Sequence, residues 1–176
     1  MTVAVSDRIV LRRFDADRDA APFHALNADP EVVRYTGDPP FADVAAARDF
    51  LLAYDHYDRH GFGRWALELR EEGRMVGFCG LKRLPEGDVV DLGFRLERRL
   101  WGRGLATEAA HLALAVGFGR WGLARIIGRA MPGNTASLAV LAKLGFRFTH
   151  EVPAAPGHHG WREHELAAAD YHGLPS

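Results

Sequence analysis

Two short turns, Glu71-Glu72-Gly73 and Pro85-Glu86-Gly87-Asp88, separate three apolar-rich runs between residues 65 and 96. Runs joined this tightly fold back on one another, so the spacing predicts an antiparallel meander. In the first run Trp65, Leu67 and Leu69 alternate with Ala66, Glu68 and Arg70. The second passes through Met75-Val76-Gly77-Phe78. The third, Val89 to Leu96, puts Val90, Leu92, Phe94 and Leu96 on one face and Val89, Asp91, Gly93 and Arg95 on the other.

The flanks supply the rest. Arg8 to Arg13 reads as a strand. Helices are read over Asp19 to Ala28, with Pro22 in the first turn, and again after Asp43, with Ala47, Leu51 and Tyr54 on one face and Gly61 as terminator. The Asp29-Pro30-Glu31 cap starts a short helical turn between them. Beyond the meander come a helix from Leu105 to about Phe118, a strand over Arg125 to Ala130 and a helix from Thr135 to Leu144, closed by Gly145. Two strands, near Phe146–Val152 and Trp161–Ala168, end the pattern. The expected class is α/β of the mixed α+β kind. Its order is β-α-α-β-β-β-α-β-α-β-β, a central mixed, mostly antiparallel twisted sheet with helices packed on it. At 176 residues the chain suits one domain, residues 1–176.

Composition narrows the function. With 22 basic and 23 acidic residues the net charge is −1, which removes the main support for nucleic-acid coating. No run of eighteen apolar residues is present, so no membrane span is expected. A lone cysteine, Cys79, excludes an internal disulfide framework and fits a reducing cytoplasm. The first thirty residues carry five aspartates and no apolar run, unlike a signal peptide. A cytoplasmic monomer or homodimer is the expectation.

The chemistry is concentrated in Arg98-Arg99-Leu100-Trp101-Gly102-Arg103-Gly104-Leu105-Ala106-Thr107-Glu108. A strand ends, two glycines turn the chain, and a helix begins. The free N–H groups of such a start attract an anion, and glycine lets a phosphate approach the backbone. Arg95, Arg98, Arg99 and Arg103 stand there against one acid, Glu97. The competing reading is a solvated arginine-rich connection. Two look-alikes fail. Gly102-x-Gly104-x-x-Thr107 lacks the third glycine of a dinucleotide fingerprint, and the literal match from Gly117 to Gly122 follows a helix instead of a strand.

Arg99-Leu100-Trp101-Gly102-Arg103-Gly104 resembles the [Q/R]-x-x-G-x-[G/A] acetyl-CoA loop of the GNAT N-acetyltransferase superfamily. Arg8 to Phe14, Asp29-Pro30-Glu31-Val32, Gly104 to Ala109, Asn134-Thr135-Ala136-Ser137 and Lys143 to Phe146 extend the likeness from about residue 7 to 171. They are similar to the branch of ribosomal-protein alanine and serine N-terminal acetyltransferases. The resemblance implies that acetyl-CoA is the donor. Its pyrophosphate would lie on the loop formed by Arg99, Trp101, Gly102, Arg103, Gly104, Leu105, Ala106 and Thr107. Its pantetheine arm would pair with Phe94, Arg95 and Leu96, and Asn134 and Ser137 would contact it further along. An N–H near Phe94 or Arg95 would polarise the thioester carbonyl. The acceptor implied is a primary amine, of a small molecule or of a peptide such as a ribosomal-protein N-terminus, attacking directly in a ternary complex.

The residues assigned to the chemistry are Asp91, Ser137 and Asn134. Asp91 reads either as the base for the amine or as an aspartate facing solvent from a half-buried strand. Asn134 is a natural helix N-cap as well as a cofactor contact. Gly93 reads as clearance for the cofactor or for a bulky neighbour. Glu108 suits the helix dipole. The tyrosine that many family members use as general acid is Leu141 here, and Ser137 resembles the serine proposed for that role in the ribosomal-protein branch. Cys79, on an apolar strand, is read as inert rather than as an acyl-enzyme nucleophile. No metal is assigned to His56 and His60 or to His158 and His159 in the 153–160 loop. The reading from another class is a non-catalytic acyl-CoA-binding sensor or scaffold, for which Leu141 is the sequence sign.

Overall fold

The computed structural model describes residues 1–173. Eight strands form one sheet: β1 (Thr2–Val5), β2 (Ile9–Arg12), β3 (Arg64–Leu69), β4 (Arg74–Arg83), β5 (Val90–Leu96), β6 (Arg125–Ala130), β7 (Arg147–Val152) and β8 (Trp161–Ala167). Their order is β1-β2-β3-β4-β5-β6-β8-β7. Every neighbouring pair is antiparallel except β5 and β6, which run parallel. The predicted meander is β3–β4–β5.

Helices α1 (Ala16–Ala28), α2 (Pro30–Val33), α3 (Val44–Leu52) and α4 (His56–His60) fill the connection from β2 to β3. Helix α5 (Leu105–Ala115) crosses from β5 to β6, and α6 (Thr135–Lys143) joins β6 to β7. The sheet is apolar on both faces because helices cover both. Phe23, Leu26, Ala47 and Leu51 of α1 and α3 pack on Ala66 and Met75. Leu105, Ala109 and Ala113 of α5 belong to the other cluster, with Cys79, Leu81, Leu92 and Ile126. Residues of β5 alternate between these two environments as the period of two requires.

Four local departures from the sequence reading have physical causes. The edge strand β1 precedes the first predicted strand, and Ser6 closes the turn between them by accepting the Ile9 N–H at 3.1 Å. Helix α1 begins at Ala16, because Asp15 caps it by accepting the N–H groups of Asp17 and Arg18. Pro22 therefore lies inside the helix rather than in its first turn. The single helix expected from Asp43 to Gly61 is two, α3 and α4. The break carries Tyr54 and Tyr57 onto β3, where the Arg64 N–H donates to the Tyr54 hydroxyl at 2.7 Å and the Tyr57 hydroxyl donates to the Arg64 carbonyl. Finally, α5 stops at Ala115 and continues as a wider turn over Val116–Arg120.

The α1 layer is fastened by a buried ion pair. Arg12 grips Asp19 with Nη1–Oδ2 2.7 Å and Nη2–Oδ1 2.8 Å, and its Nε reaches Glu68 at 2.8 Å. Asp19 is fully buried and also accepts the Asp15 N–H at 2.8 Å. Asp19→Ala leaves a buried guanidinium with one carboxylate partner, Glu68. The expected cost is about 3 kcal/mol, or roughly 6–12 °C in the thermal midpoint. Scanning calorimetry checks this, and a shift under 2 °C would show that the pair does not fasten the layer.

Candidate functional site

Strands β5 and β6 meet at one register pair, Asp91 with Ile127, and separate beyond it. The β4–β5 ladder fixes what this exposes. The Glu97 N–H donates to the Val76 carbonyl and the Leu84 N–H to the Val89 carbonyl, in the same register as Gly80 opposite Gly93. Odd-numbered residues of β5 are thus bonded to β4, and Val90, Leu92, Phe94 and Leu96 direct their backbone groups toward β6. Past the Asp91–Ile127 pair, the N–H groups of Phe94 and Leu96 face a gap in the sheet. The Leu96 carbonyl is taken by the Trp101 indole N–H at 2.9 Å. Of the Phe94 and Arg95 amides, alternation turns only that of Phe94 toward the gap, since Arg95 pairs with Phe78 of β4.

Because β5 and β6 are parallel, the segments that follow them lie at the same end of the gap. Gly102 and Gly104 have φ of 73° and 75°, a region L side chains rarely adopt. Gly104 is the N-cap of α5 and supplies no side-chain cap, so the first-turn amides are left without one. A Cβ at Gly102 would point into open space, and at Gly104 it would meet nothing nearer than Arg8 at 3.8 Å. The room above these amides suits a phosphate. On the other strand, Asn134 caps α6 by accepting the Ser137 N–H at 3.2 Å. Leu141, one turn on, is buried against Gly128 of β6. A cavity of about 610 Å³ opens beside the loop, lined by Ala25, Leu26, Val32 and Arg98 among others.

The arginines of the loop divide by partner. Arg95 donates to Asn27 and, at 2.7 Å, to Asp38, so its guanidinium ties β5 to α1 and to the loop after α2. Arg99 is held by Glu72 at 2.7 and 2.8 Å and by Glu97 at 2.7 Å. Arg103 lies 3.9 Å from exposed Glu71. Glu108 has a structural task, accepting from Ser6 at 2.5 Å and from Arg8, which also donates to the Arg103 carbonyl at 3.1 Å.

Asp91 sits at the apex of the gap. It faces the α1 side of the sheet and is enclosed rather than solvent-facing, its side chain 13% exposed. Its Oδ2 accepts from Arg64 Nη2 at 2.5 Å, while its Oδ1 is buried with no partner. Burial raises its pKa from the ordinary carboxylate value, and the charges of Arg64, Arg129 and Lys82 oppose that rise. Gly93 answers to a bulky neighbour, since a Cβ there would overlap the Arg64 guanidinium. Arg64 carries no motif and had no sequence signal. Cys79 is fully buried and its thiol is pushed up to about 12, so it holds its proton at neutral pH. His56 accepts the Arg83 N–H at 2.9 Å, and burial lowers its pKa to about 4, keeping the ring neutral.

An acetyltransferase (GNAT) domain model matches residues 8–147. The chain belongs to the GNAT acetyltransferase family. It is 31% identical over 149 residues to the uncharacterized N-acetyltransferase p20 of Bacillus licheniformis, covering 84% of this chain and 83% of that protein. It is 34% identical over 130 residues to the FsC-acetyl coenzyme A-N(2)-transacetylase of Aspergillus fumigatus, covering 68% and 54%. Among solved structures it resembles the ribosomal-protein-S5-alanine acetyltransferase of Vibrio fischeri, with TM-score 0.79 and 16% identity over 97% of this chain and 98% of that one. At that identity the likeness is one of fold.

A phosphate-bearing ligand that binds the folded chain alone raises its stability by mass action. Coenzyme A at a hundred times its dissociation constant should add about 2.7 kcal/mol, or roughly 5–11 °C in the melting midpoint. Gly104→Val places a branched side chain in the open space above the first-turn amides. It should remove most of that rise, and the strain of a branched residue at φ 75° should lower the ligand-free midpoint as well. An undiminished rise in the variant would place the ligand elsewhere.

Proposed function

We propose that this chain transfers the acetyl group of acetyl-CoA to a primary amine by direct attack in a ternary complex. The observation that carries the reading is the alignment of an uncapped helix start with a gap in the sheet whose amides lie unpaired. The first-turn amides from Gly102 to Thr107 take the pyrophosphate. The Leu96 and Phe94 amides take the pantetheine arm, which runs from the mouth of the gap toward its apex. Asn134 and Ser137 border the arm from the β6 side. The thioester then lies near Asp91, and the Phe94 N–H polarises its carbonyl.

The amine nitrogen forms the new C–N bond as the C–S bond breaks. One proton leaves the nitrogen and one ends on the departing sulfur. Asp91 Oδ1, buried and unbonded, receives the first, directly or through a water. Ser137 supplies the second in the place that Leu141 leaves empty. A thiol of ordinary pKa near 8.5 is a tolerable leaving group, so this proton matters less. The chain acts as a single domain of the cytoplasm. Its acceptor is a small-molecule or peptide amine, a ribosomal-protein N-terminus being the case that the fold likeness suggests.

The second reading, an acyl-CoA sensor without catalysis, is favoured by Leu141 and by the engagement of Asp91 with Arg64. Thiol release from acetyl-CoA, measured across free amino acids, peptide N-termini and polyamines, separates the two. Transfer predicts release that depends on the amine; coenzyme A binding with no release under any acceptor supports the sensor. Asp91→Asn should lower turnover about a hundredfold or more at pH 6.5. The loss should shrink as pH rises and the amine deprotonates itself, with acetyl-CoA affinity nearly unchanged. Parent-like turnover and pH profile would remove Asp91 as the base.

A further inference from the structure

We propose that Arg64 is a positioning residue for Asp91, aiming one carboxylate oxygen and favouring the charged form of a buried group, with Gly93 as the opening that admits it. This rests on Asp91 acting in the reaction proposed above.

The geometry is a fork across three strands. Arg64 opens β3 and lies opposite Gly80 of β4, which lies opposite Gly93 of β5. The missing Cβ at Gly93 leaves room in the sheet face, and the guanidinium lies there; the missing Cβ at Gly80 admits the Gly63 carbonyl and the Arg64 Cα. Nη1 donates to the Gly80 carbonyl at 2.5 Å and to the Asp91 carbonyl at 2.8 Å, and Nη2 donates to Asp91 Oδ2 at 2.5 Å. The Arg64 backbone is fixed at both ends by the hydroxyls of Tyr54 and Tyr57. A planar fork held by two backbone carbonyls cannot follow the carboxylate if it swings. Asp91 is therefore held by Oδ2 and presents Oδ1, the oxygen without a partner.

The charges around this pair come from each neighbouring element: Lys82 on β4, Arg129 on β6 and, beside Arg64, His56 and Tyr54. Arg129 is itself engaged by Glu163 at 2.9 Å and Glu86 at 3.5 Å, and Lys82 is exposed. His56 is neutral above about pH 4, and the Tyr54 hydroxyl is pushed up by burial, so neither changes charge near neutrality. Arg64 is the cation in contact with Asp91. Its charge opposes the burial that favours the protonated form, and a protonated carboxyl is no base.

The test is the pH profile of kcat/KM, read with acetyl-CoA affinity. Arg64→Met should move the acidic limb up by at least one pH unit, a tenfold loss at a pH on that limb, with acetyl-CoA affinity within about threefold. Arg64→Lys, which keeps the charge but not the fork, should restore much of the limb while kcat stays low. Gly93→Ala, which displaces the guanidinium without removing it, should behave like Arg64→Met. In the Asp91→Asn background, Arg64→Met should cost little more, since the two act as one unit. An unmoved limb with kcat lowered equally at every pH would overturn the proposal, as would fully additive losses. Titration of the Asp91 carboxyl by carbon NMR in parent and Gly93→Ala proteins needs no turnover. An Asp91 titration unchanged by Gly93→Ala overturns the positioning claim. A titration moved upward in a protein that shows no amine-dependent thiol release upholds the pairing and fails the transferase reading instead.

Discussion

The site depends on a pairing that stops. Parallel β5 and β6 share the Asp91–Ile127 register and no further one, although both strands continue. An interrupted ladder leaves backbone groups that must find other partners, and here they are the amides of Phe94 and Leu96. The two strands part while held on their outer sides, β5 by the full β4 ladder and β6 by β8. The gap is therefore rigid-walled. The same parallel direction places Gly104 and Asn134, the caps of α5 and α6, beyond one end of it. Those caps differ in kind: Asn134 satisfies its own helix with its side chain, whereas Gly104 gives α5 no side-chain cap.

Charge is distributed less simply than a count suggests. Residues 95–103 hold four arginines and one acid, yet Arg95 and Arg99 meet carboxylates brought from Asp38 and Glu72 by the fold. In the proposed reading, the attraction for a phosphate would rest first on backbone amides and the helix dipole, with Arg98 and Arg103 nearby. Arginines of the sheet meet carboxylates from other segments: Arg64 with Asp91, Arg95 with Asp38, Arg129 with Glu163 and Glu86. Each pair joins different elements, so the charged groups also lock the layers.

The meander was legible because two compact turns and a period of two constrain it locally. The two-glycine loop was legible because glycine at two positions serves a backbone conformation that other residues resist. The break between α3 and α4 was not, since it is set by Tyr54 and Tyr57 reaching Arg64, a contact across the fold. Glu108 reads from the sequence only as an acid suited to the helix dipole, because its partners Ser6 and Arg8 lie about a hundred residues away. Gly93 shows the limit most clearly. Its bareness was visible, and whom it served was not, because Arg64 is brought to it by strand register alone.

Residue-resolved amide hydrogen exchange with and without coenzyme A tests the interrupted ladder most directly. The Phe94 and Leu96 amides should exchange faster than those of Gly93 and Arg95 in the free protein, and slow markedly when the ligand binds, together with the first-turn amides of α5. Slow exchange at Phe94 and Leu96 without ligand, or rates unmoved by a ligand that does bind, would contradict the account.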